Sequence, residues 1–201
     1  MVRYDTPAFA NFVGSASWGE DDQWEFVLDY KNEIGDFKVS GRVGYGESTD
    51  PTVNRGQCSA SVGTGNCQYW GGSGVVMHTP TGLFVYGAYG ENQIELEPVD
   101  AGEDDDSTTW FIQAGIERKW LPLGKTNIFA EYRKDDVGFR GSNSDSSEFD
   151  FWAAGIIQNL EGADMTLYAQ YRHSEGEFTK GATTTSLDDF DVVITGAKLN
   201  F

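Results

Sequence analysis

The histidines are the side chains of this sequence best suited to acid–base chemistry, and there are two of them, His78 and His173. His173 is followed directly by Ser174, so the stretch YRHSEGE has the two residue types that a serine hydrolase combines. Adjacent residues on a β-strand point to opposite faces, so these two cannot form a dyad if the stretch is a strand. His78 lies in the short turn MHTPTG, at the other end of the strands predicted below. We therefore predict that the chain is not an enzyme and that it needs no cofactor.

The two cysteines, Cys58 and Cys67, lie close together in the polar stretch CSASVGTGNC. Their spacing is neither that of a CxxC motif nor that of a zinc site completed by histidines, so we predict no metal site. A local disulfide that closes a small loop is the favoured interpretation, and it implies an oxidising compartment. Two unpaired loop thiols are the alternative.

The charge of the chain is strongly negative. There are 14 lysines and arginines against 32 aspartates and glutamates, which gives a net charge of −18 at pH 7. Nucleic-acid binding needs a basic surface that neutralises phosphates. Nucleic acid is therefore excluded as a partner.

Apolar and polar residues alternate along most of the chain. In WEFVLDYK, for example, Trp24, Phe26 and Leu28 fall on one side of an extended chain and the charged residues fall on the other. This period of two is that of a β-strand, and no segment has the 3.6-residue period of an amphipathic helix. The alternation predicts eleven strands, at residues 2–6, 12–20, 23–33, 36–48, 67–79, 82–94, 107–121, 125–137, 149–160, 163–178 and 187–201.

The lengths of these strands and of their connections indicate a membrane barrel. Many of the strands reach the 9–11 residues that a tilted strand needs to cross a bilayer. Short connections (PAFAN, EIGD, TPTG, LPLGK, LEGA) alternate with longer or more charged ones (GEDDQ, residues 49–66, ELEPVDAGEDDD, GFRGSNSDSSE, TKGATTTS). Transmembrane barrels have short turns at one end and long loops at the other. The chain has no run of about 18 apolar residues, so no transmembrane helix is expected.

The positions of the aromatic residues support the same fold. Trp110 and Trp120 bracket an aliphatic stripe on one face of the strand WFIQAGIERKW. Aromatic residues at both ends of such a stripe are typical of the two interfacial girdles of a membrane barrel. We expect the opposite face to line a pore. The predicted pore-lining residues are Arg3, Glu25, Asp29, Lys38, Arg42, Glu117, Glu131, Arg133 and Arg172.

The chain ends on an alternating strand, VVITGAKLNF. Leu199 and Phe201 fall on its apolar side, as in the C-terminal signal that the barrel-assembly machinery reads in bacterial outer-membrane barrels. Phe201 would lie in the girdle at the periplasmic interface.

Several stretches resemble the general porins of alphaproteobacteria. They are VRYDTPAFANF, SASWGEDD, GSGVVMHTPTGLFVYGAYG, IQAGIERKWLPLGKTNIFAEY and MTLYAQYRHSEG, together with the terminal phenylalanine. The resemblance implies a 16-stranded, homotrimeric barrel in the outer membrane that passes small hydrophilic solutes. It covers essentially the whole chain, as one domain at residues 1–201, and matches roughly the last two-thirds of the family barrel. We therefore expect the chain to lack the first strands and the inward-folded constriction loop.

The resemblance also implies roles for two arginines. In the family, wall arginines oppose acids of the constriction loop, and Arg3 and Arg42 lie at the corresponding mid-depth of the wall. The alternative is that they only solvate the wall.

The acidic runs GEDD (19–22), GEDDD (102–106), KDD (134–136) and LDD (187–189) fall on or beside the longer loops. They form a solvated, repulsive surface, or they concentrate cations and share divalent ions with the surrounding lipopolysaccharide.

Two other functions fit parts of the sequence. One is a soluble β-barrel or β-sandwich that binds a ligand, in which the girdle aromatics would be buried as a core. The other is an outer-membrane barrel without an open pore.

Overall fold

The structure is a computed structural model that describes residues 1–19, 23–49, 66–94, 106–141 and 144–199. The described residues form twelve β-strands and a 3-10 helix of three residues, Glu161–Ala163. The strands are β1 (Val2–Asp5), β2 (Phe12–Trp18), β3 (Gln23–Ile34), β4 (Phe37–Ser48), β5 (Cys67–His78), β6 (Leu83–Ile94), β7 (Asp106–Leu121), β8 (Gly124–Gly141), β9 (Ser144–Leu160), β10 (Met165–Lys180), β11 (Thr183–Ser186) and β12 (Phe190–Leu199).

No helix in this part of the chain is long and apolar enough to span a membrane.

The strands form one antiparallel sheet of up-and-down topology, which confirms the predicted all-β fold. Each strand from β1 to β10 pairs with the next one along the chain. Beyond β10, both β11 and β12 pair with it on the side away from β9. Within the described residues, β1 pairs only with β2, and β12 pairs only with β10, so this part of the sheet is open.

The described residues form twelve strands, one more than the eleven counted from the sequence. The stretch expected as the loop TKGATTTS contains the end of β10, a turn and the additional strand β11. The stretch expected as the loop GFRGSNSDSSE is largely strand as well, because β8 and β9 continue to Gly141 and from Ser144. Serine, threonine and glycine produce no alternation of hydropathy, but their backbone groups still pair across a hairpin.

The short connections are confirmed at one end of the sheet. They are residues 6–11, 35–36, 79–82, 122–123 and 161–164. Gly82 ends the third of these turns with a positive φ of 74°, and its N–H donates to the His78 carbonyl at 2.8 Å. A side chain there would collide with the Glu117 carbonyl of β7, so only glycine fits this close approach.

The strand register separates two faces. Directly paired residues of antiparallel strands lie on the same face, so Asp29, Arg42 and Ser73 share one side, which we call the polar face. Trp24 belongs to the opposite side, the apolar face.

Burial differs between the two faces. Among the described residues, the buried hydrophobic side chains are Cys67, Phe84, Phe151 and Ala153, and all four lie on the polar face. The apolar face instead exposes large side chains such as Phe26, Trp110, Ile112, Trp152 and Ile156. A water-soluble fold would bury this face, so its exposure favours contact with lipid.

Four aromatic rings on the polar face lie over glycines of the neighbouring strand. The direct pairs are Gly46–Tyr69, Phe84–Gly115, Phe129–Gly155 and Tyr168–Gly196. In each pair the ring fills the space that a glycine side chain would take. These pairs compensate for the weak packing of glycine in a strand.

Gly115→Ala is expected to destabilise the protein by about 1–3 kcal/mol, as overpacking does in a close-packed site. The new Cβ would lie 2.5 Å from the Ile128 carbonyl oxygen and 2.7 Å from the Phe84 ring. Gly87→Ala is the control, because its Cβ meets only the Phe111 carbonyl oxygen, at 3.9 Å. Urea unfolding in phospholipid vesicles measures both changes. Equal free energies of unfolding for the two variants would contradict the close packing around Gly115.

Candidate functional site

All nine predicted pore-lining residues lie on the polar face. Arg3 and Glu25 are both paired with Ser17, and Arg42 is paired with Asp29. The same register carries this face across the sheet to Lys38, Glu117, Glu131, Arg133 and Arg172. The alternation in the sequence was therefore sufficient to place these charges together.

The two mid-wall arginines are paired with acids of the same sheet. Arg42 donates from Nε and Nη2 to the two carboxylate oxygens of Asp29, at 2.6 and 3.1 Å. Arg3 donates to Asp5 at 2.8 Å and to the Ser15 hydroxyl at 3.2 Å. The Arg42 side chain is still 60% exposed. The resemblance implied partners on a constriction loop, whereas the partners observed in the described residues are neighbours within the wall.

Glu131 is at the centre of a polar cluster that joins three strands. Its carboxylate accepts hydrogen bonds from Gln113 at 2.8 Å and Gln170 at 2.6 Å. The guanidinium of Arg172 lies 3.8 Å from the same carboxylate. Ala153 separates Glu131 from Arg172 in the register, and its small side chain allows them to interact across β9. Glu131 is only 9% exposed, so its carboxylate is largely shielded from water.

Gln113 and Gln170 fall on the predicted pore-facing side of their strands, but the predicted set of pore-lining residues did not include them. It also missed Phe151, whose ring centroid lies 4.1 Å from the Arg172 guanidinium carbon. These contacts depend on the cross-strand register. The alternation in the sequence predicts the face on which a residue lies, but it does not predict which residues of the adjacent strands lie beside it.

Aromatic side chains form a continuous band on the apolar face, near the loop end of the strands. Ring contacts run from Trp24 to Tyr45 (5.3 Å), and from Trp70 to Tyr89 (5.0 Å). They continue from Trp110 to Tyr132 (4.9 Å) and from Trp152 to Tyr171 (5.4 Å). Register pairs such as Tyr45–Trp70, Tyr89–Trp110 and Tyr132–Trp152 link these contacts. The band is the arrangement expected of an interfacial girdle.

A second, sparser set of aromatics lies toward the short turns. Phe12 contacts Tyr30 at 4.7 Å, and Phe37 contacts the His78 ring at 4.9 Å. Trp120, expected in this set, lies where the register between β7 and β8 shifts, and it is 49% exposed. Two aromatic levels separated by aliphatic residues are typical of a bilayer-spanning wall.

His173 and Ser174 lie on opposite faces, as predicted. His173 contacts Asp191 at 2.8 Å and Glu175 at 3.0 Å on the apolar side. Ser174 is buried on the polar face, where it is paired with Phe151. His78 contacts the Thr81 hydroxyl at 2.8 Å at the short-turn end. Neither histidine is therefore placed beside a serine nucleophile in the described residues.

One group of side chains at the loop end has the composition of a metal site. The candidate ligand atoms of His173, Glu175 and Asp189 lie within 4.8 Å of one another. The sequence predicted no metal site, because Asp189 is distant from His173 and Glu175 in the chain and the three residues form no ligand spacing.

Of four other predicted residues, the structure describes two, Leu199 and Cys67. Leu199 ends β12, is 60% exposed and pairs with Met165, whereas Phe201 lies outside the described residues. Cys67 begins β5 and is 3% exposed. Its predicted partner, Cys58, also lies outside the described residues, so the disulfide stays a prediction.

Comparisons with known proteins agree with this geometry. A family model described as Gram-negative porin matches residues 1–179. No curated protein sequence matches the chain. Among solved structures, the chain is similar to OmpT, an outer membrane protein of Vibrio cholerae in its trimer form, with a TM-score of 0.53 and 13% identity. The match covers 97% of this chain and 61% of the OmpT chain, so this chain spans less than two-thirds of that protein.

Proposed function

The chain belongs to the Gram-negative porin family, and we propose that it forms a water-filled channel for passive diffusion of small hydrophilic solutes and ions. It is an integral protein of the bacterial outer membrane, with the antiparallel up-and-down sheet of an outer-membrane barrel. The observation that carries the proposal is the separation of the two faces. Nine charged side chains share the polar face, and an aromatic band and exposed aliphatic residues share the other. A diffusion pore needs a hydrated, charged wall of this kind and no catalytic residue.

The proposed lining of the pore is the nine-residue set predicted from the sequence. The Arg42–Asp29 ion pair is solvated, as the exposed fractions of Arg42 (60%) and Asp29 (31%) indicate. Such pairs keep the wall polar at little cost in stability. A soluble binding module is not favoured, because it would expose the aromatic band to water.

We further propose that additional strands complete the barrel. The described part of the sheet is open between β1 and β12, and a barrel closes only when its first and last strands are joined. The proposed domain is thus the C-terminal part of a general porin, of the kind found in alphaproteobacteria.

The proposed partners follow from this assignment. They are outer-membrane lipid and lipopolysaccharide around the aromatic band, the barrel-assembly machinery at the C-terminal Leu199–Phe201 signal, and two further copies in a homotrimer. OmpT, the similar structure, is a trimer.

Channel formation is tested by reconstituting the protein into liposomes and planar bilayers. Discrete conductance steps in KCl, and swelling of liposomes in arabinose that is faster than in the larger stachyose, are expected of a diffusion pore. Membrane insertion with neither conductance nor swelling would support the alternative, a barrel without an open pore.

A disulfide between Cys58 and Cys67 is proposed to stabilise the oxidised protein by about 2–3 kcal/mol, because it closes a loop of about ten residues and restricts the unfolded chain. Cys58→Ser should therefore lower the free energy of unfolding by that amount under oxidising conditions. Under reducing conditions the variant and the original protein should be equally stable. Two free thiols in a quantitative thiol assay of the oxidised protein would disprove the pairing.

A further inference from the structure

A cavity of about 430 Å³ opens on the polar face near the loop end of β5 to β9. One row of directly paired residues contributes Tyr69, Asn92 and Ser107 to its lining. The adjacent row contributes Thr109, Asp135 and Phe149. The volume falls in the range of about 300–1,000 Å³ typical of small-molecule sites. Apart from Arg133, none of the nine proposed pore-lining residues lines this cavity.

The floor of the cavity is made of glycine. Gly71 and Gly90 are directly paired on the polar face, and both line the cavity. Neither has a side chain, so a hollow is left between the flanking polar and aromatic residues. A Cβ on Gly90 would meet only the Trp70 carbonyl oxygen, at 3.9 Å. The hollow can therefore be filled by substitution without a clash at the backbone.

Arg133 and Asp135 are the charged side chains that the polar face contributes to the lining, and they neutralise each other. Glu91 also lines the cavity, but its carboxylate accepts from the Tyr89 hydroxyl on the apolar face. Arg133 donates from Nε to Asp135 at 3.0 Å and forms an ion pair of 2.8 Å with its second oxygen. The Thr109 hydroxyl donates to the same carboxylate at 2.5 Å. In the described part of the chain, the hydrogen bonds of Arg133 use Nε alone. A neutral site in a chain of net charge −18 is unfavourable for anions.

Two aromatic rings flank these polar groups. Tyr69 is held in place by its hydroxyl, which donates to Glu25 at 3.0 Å. Phe149 is 42% exposed although it lies on the polar face. A sugar ring has the complementary surface, with C–H groups on its faces and hydroxyls at its edge. Hydroxyl, amide and guanidinium groups can donate to or accept from these hydroxyls.

We propose that this cavity binds a neutral sugar of one or two rings, with Phe149 against the sugar face and Thr109 and Arg133 near its hydroxyls. The proposal rests on the proposed function, because it takes the polar face as the lumen. It goes beyond passive diffusion, since a bound sugar would be concentrated at the channel mouth.

Isothermal titration of the detergent-solubilised protein with maltose tests the proposal without requiring conduction. The expected dissociation constant is about 1–10 mM, at the weak end of the affinity scale. Gly90→Leu fills the hollow and should abolish binding. Phe149→Ala removes the aromatic wall and should weaken binding roughly three- to tenfold.

Two matched variants serve as controls. Gly87→Leu makes the same substitution on the same strand at a Cβ with the same 3.9 Å clearance, but on the apolar face. Phe190→Ala removes an exposed ring of the polar face that does not line the cavity. Both should bind maltose as the unaltered protein does.

Absence of maltose binding by the folded protein, or equal loss in Gly90→Leu and Gly87→Leu, would overturn the proposal. Saturable binding of acetate in place of maltose would identify an anion site at Arg133 and would overturn it too. Failure to conduct ions in a bilayer would contradict the channel function and leave the maltose titration unaffected.

Discussion

Ile116→Arg is expected to destabilise the folded protein by about 2–4 kcal/mol, the cost of an arginine on the lipid side of a barrel near the bilayer midplane. Ile116 lies on the apolar face of β7, where it is paired with Leu83 and Ile128. On the same strand, Trp110 lies toward the loop end and Trp120 toward the short turns. The expected cost arises because the guanidinium has neither water nor an acid beside it at this depth.

Gln113→Arg is the matched control for this substitution. Gln113 lies on the same strand but on the polar face, where it donates to Glu131 at 2.8 Å. An arginine there can pair with the same carboxylate, so we expect a change of less than about 1 kcal/mol. Urea unfolding in phospholipid vesicles gives both values. A similar loss for the two variants would refute the assignment of the apolar face to lipid.

Arg42→Ala is expected to shift the ion preference of the channel toward cations by roughly a factor of two. The substitution leaves Asp29 without its bidentate partner, so the wall gains a net negative charge. A unit charge about 10 Å from a permeating ion changes its energy by about 0.4 kcal/mol even at the dielectric constant of water, which corresponds to that factor. The reversal potential of single channels under a KCl gradient measures the shift.

The ion pair also provides the control for Arg42→Ala. Asp29→Ala alone should shift the preference toward anions, and the double variant should return close to the original value, because the net charge of the wall is restored. The sequence predicts Asp104 and Asp105 in an outer loop, and Asp106 begins β7. Neutralising all three should act mainly at low salt, since charges in contact with solvent are screened within about 8 Å at physiological ionic strength. If Arg42→Ala leaves the reversal potential unchanged at every salt concentration, the wall pair does not contribute to selectivity.

The face of each residue could be predicted from the sequence because a strand alternates strictly. All nine charged residues expected on one face lie there, and the alternation of Val193, Thr195, Ala197 and Leu199 at the C-terminus is also found in β12. Side chains in contact with lipid are apolar and those in contact with water are polar, so strands that cross the membrane alternate between the two over their whole length.

The strand ends beyond the membrane could not be predicted in the same way. Residues 138–148 and 179–186 are rich in serine, threonine and glycine, so no alternation of hydropathy marks a strand there. The ladder nevertheless continues, because backbone pairing does not depend on side-chain polarity. The sequence therefore predicted loops where the structure has the ends of β8 and β9 and the strand β11.

The contacts between strands were decided by the tertiary structure alone. The amino-acid sequence by itself determined the fold class, the two faces and the aromatic band, since each depends only on residue type and on a period of two. The pairing of Arg42 with Asp29, the Glu131 cluster and the glycine-floored cavity depend instead on register. Register is set by turn geometry and by the sum of many weak cross-strand contacts, and a single sequence does not reveal which residues meet.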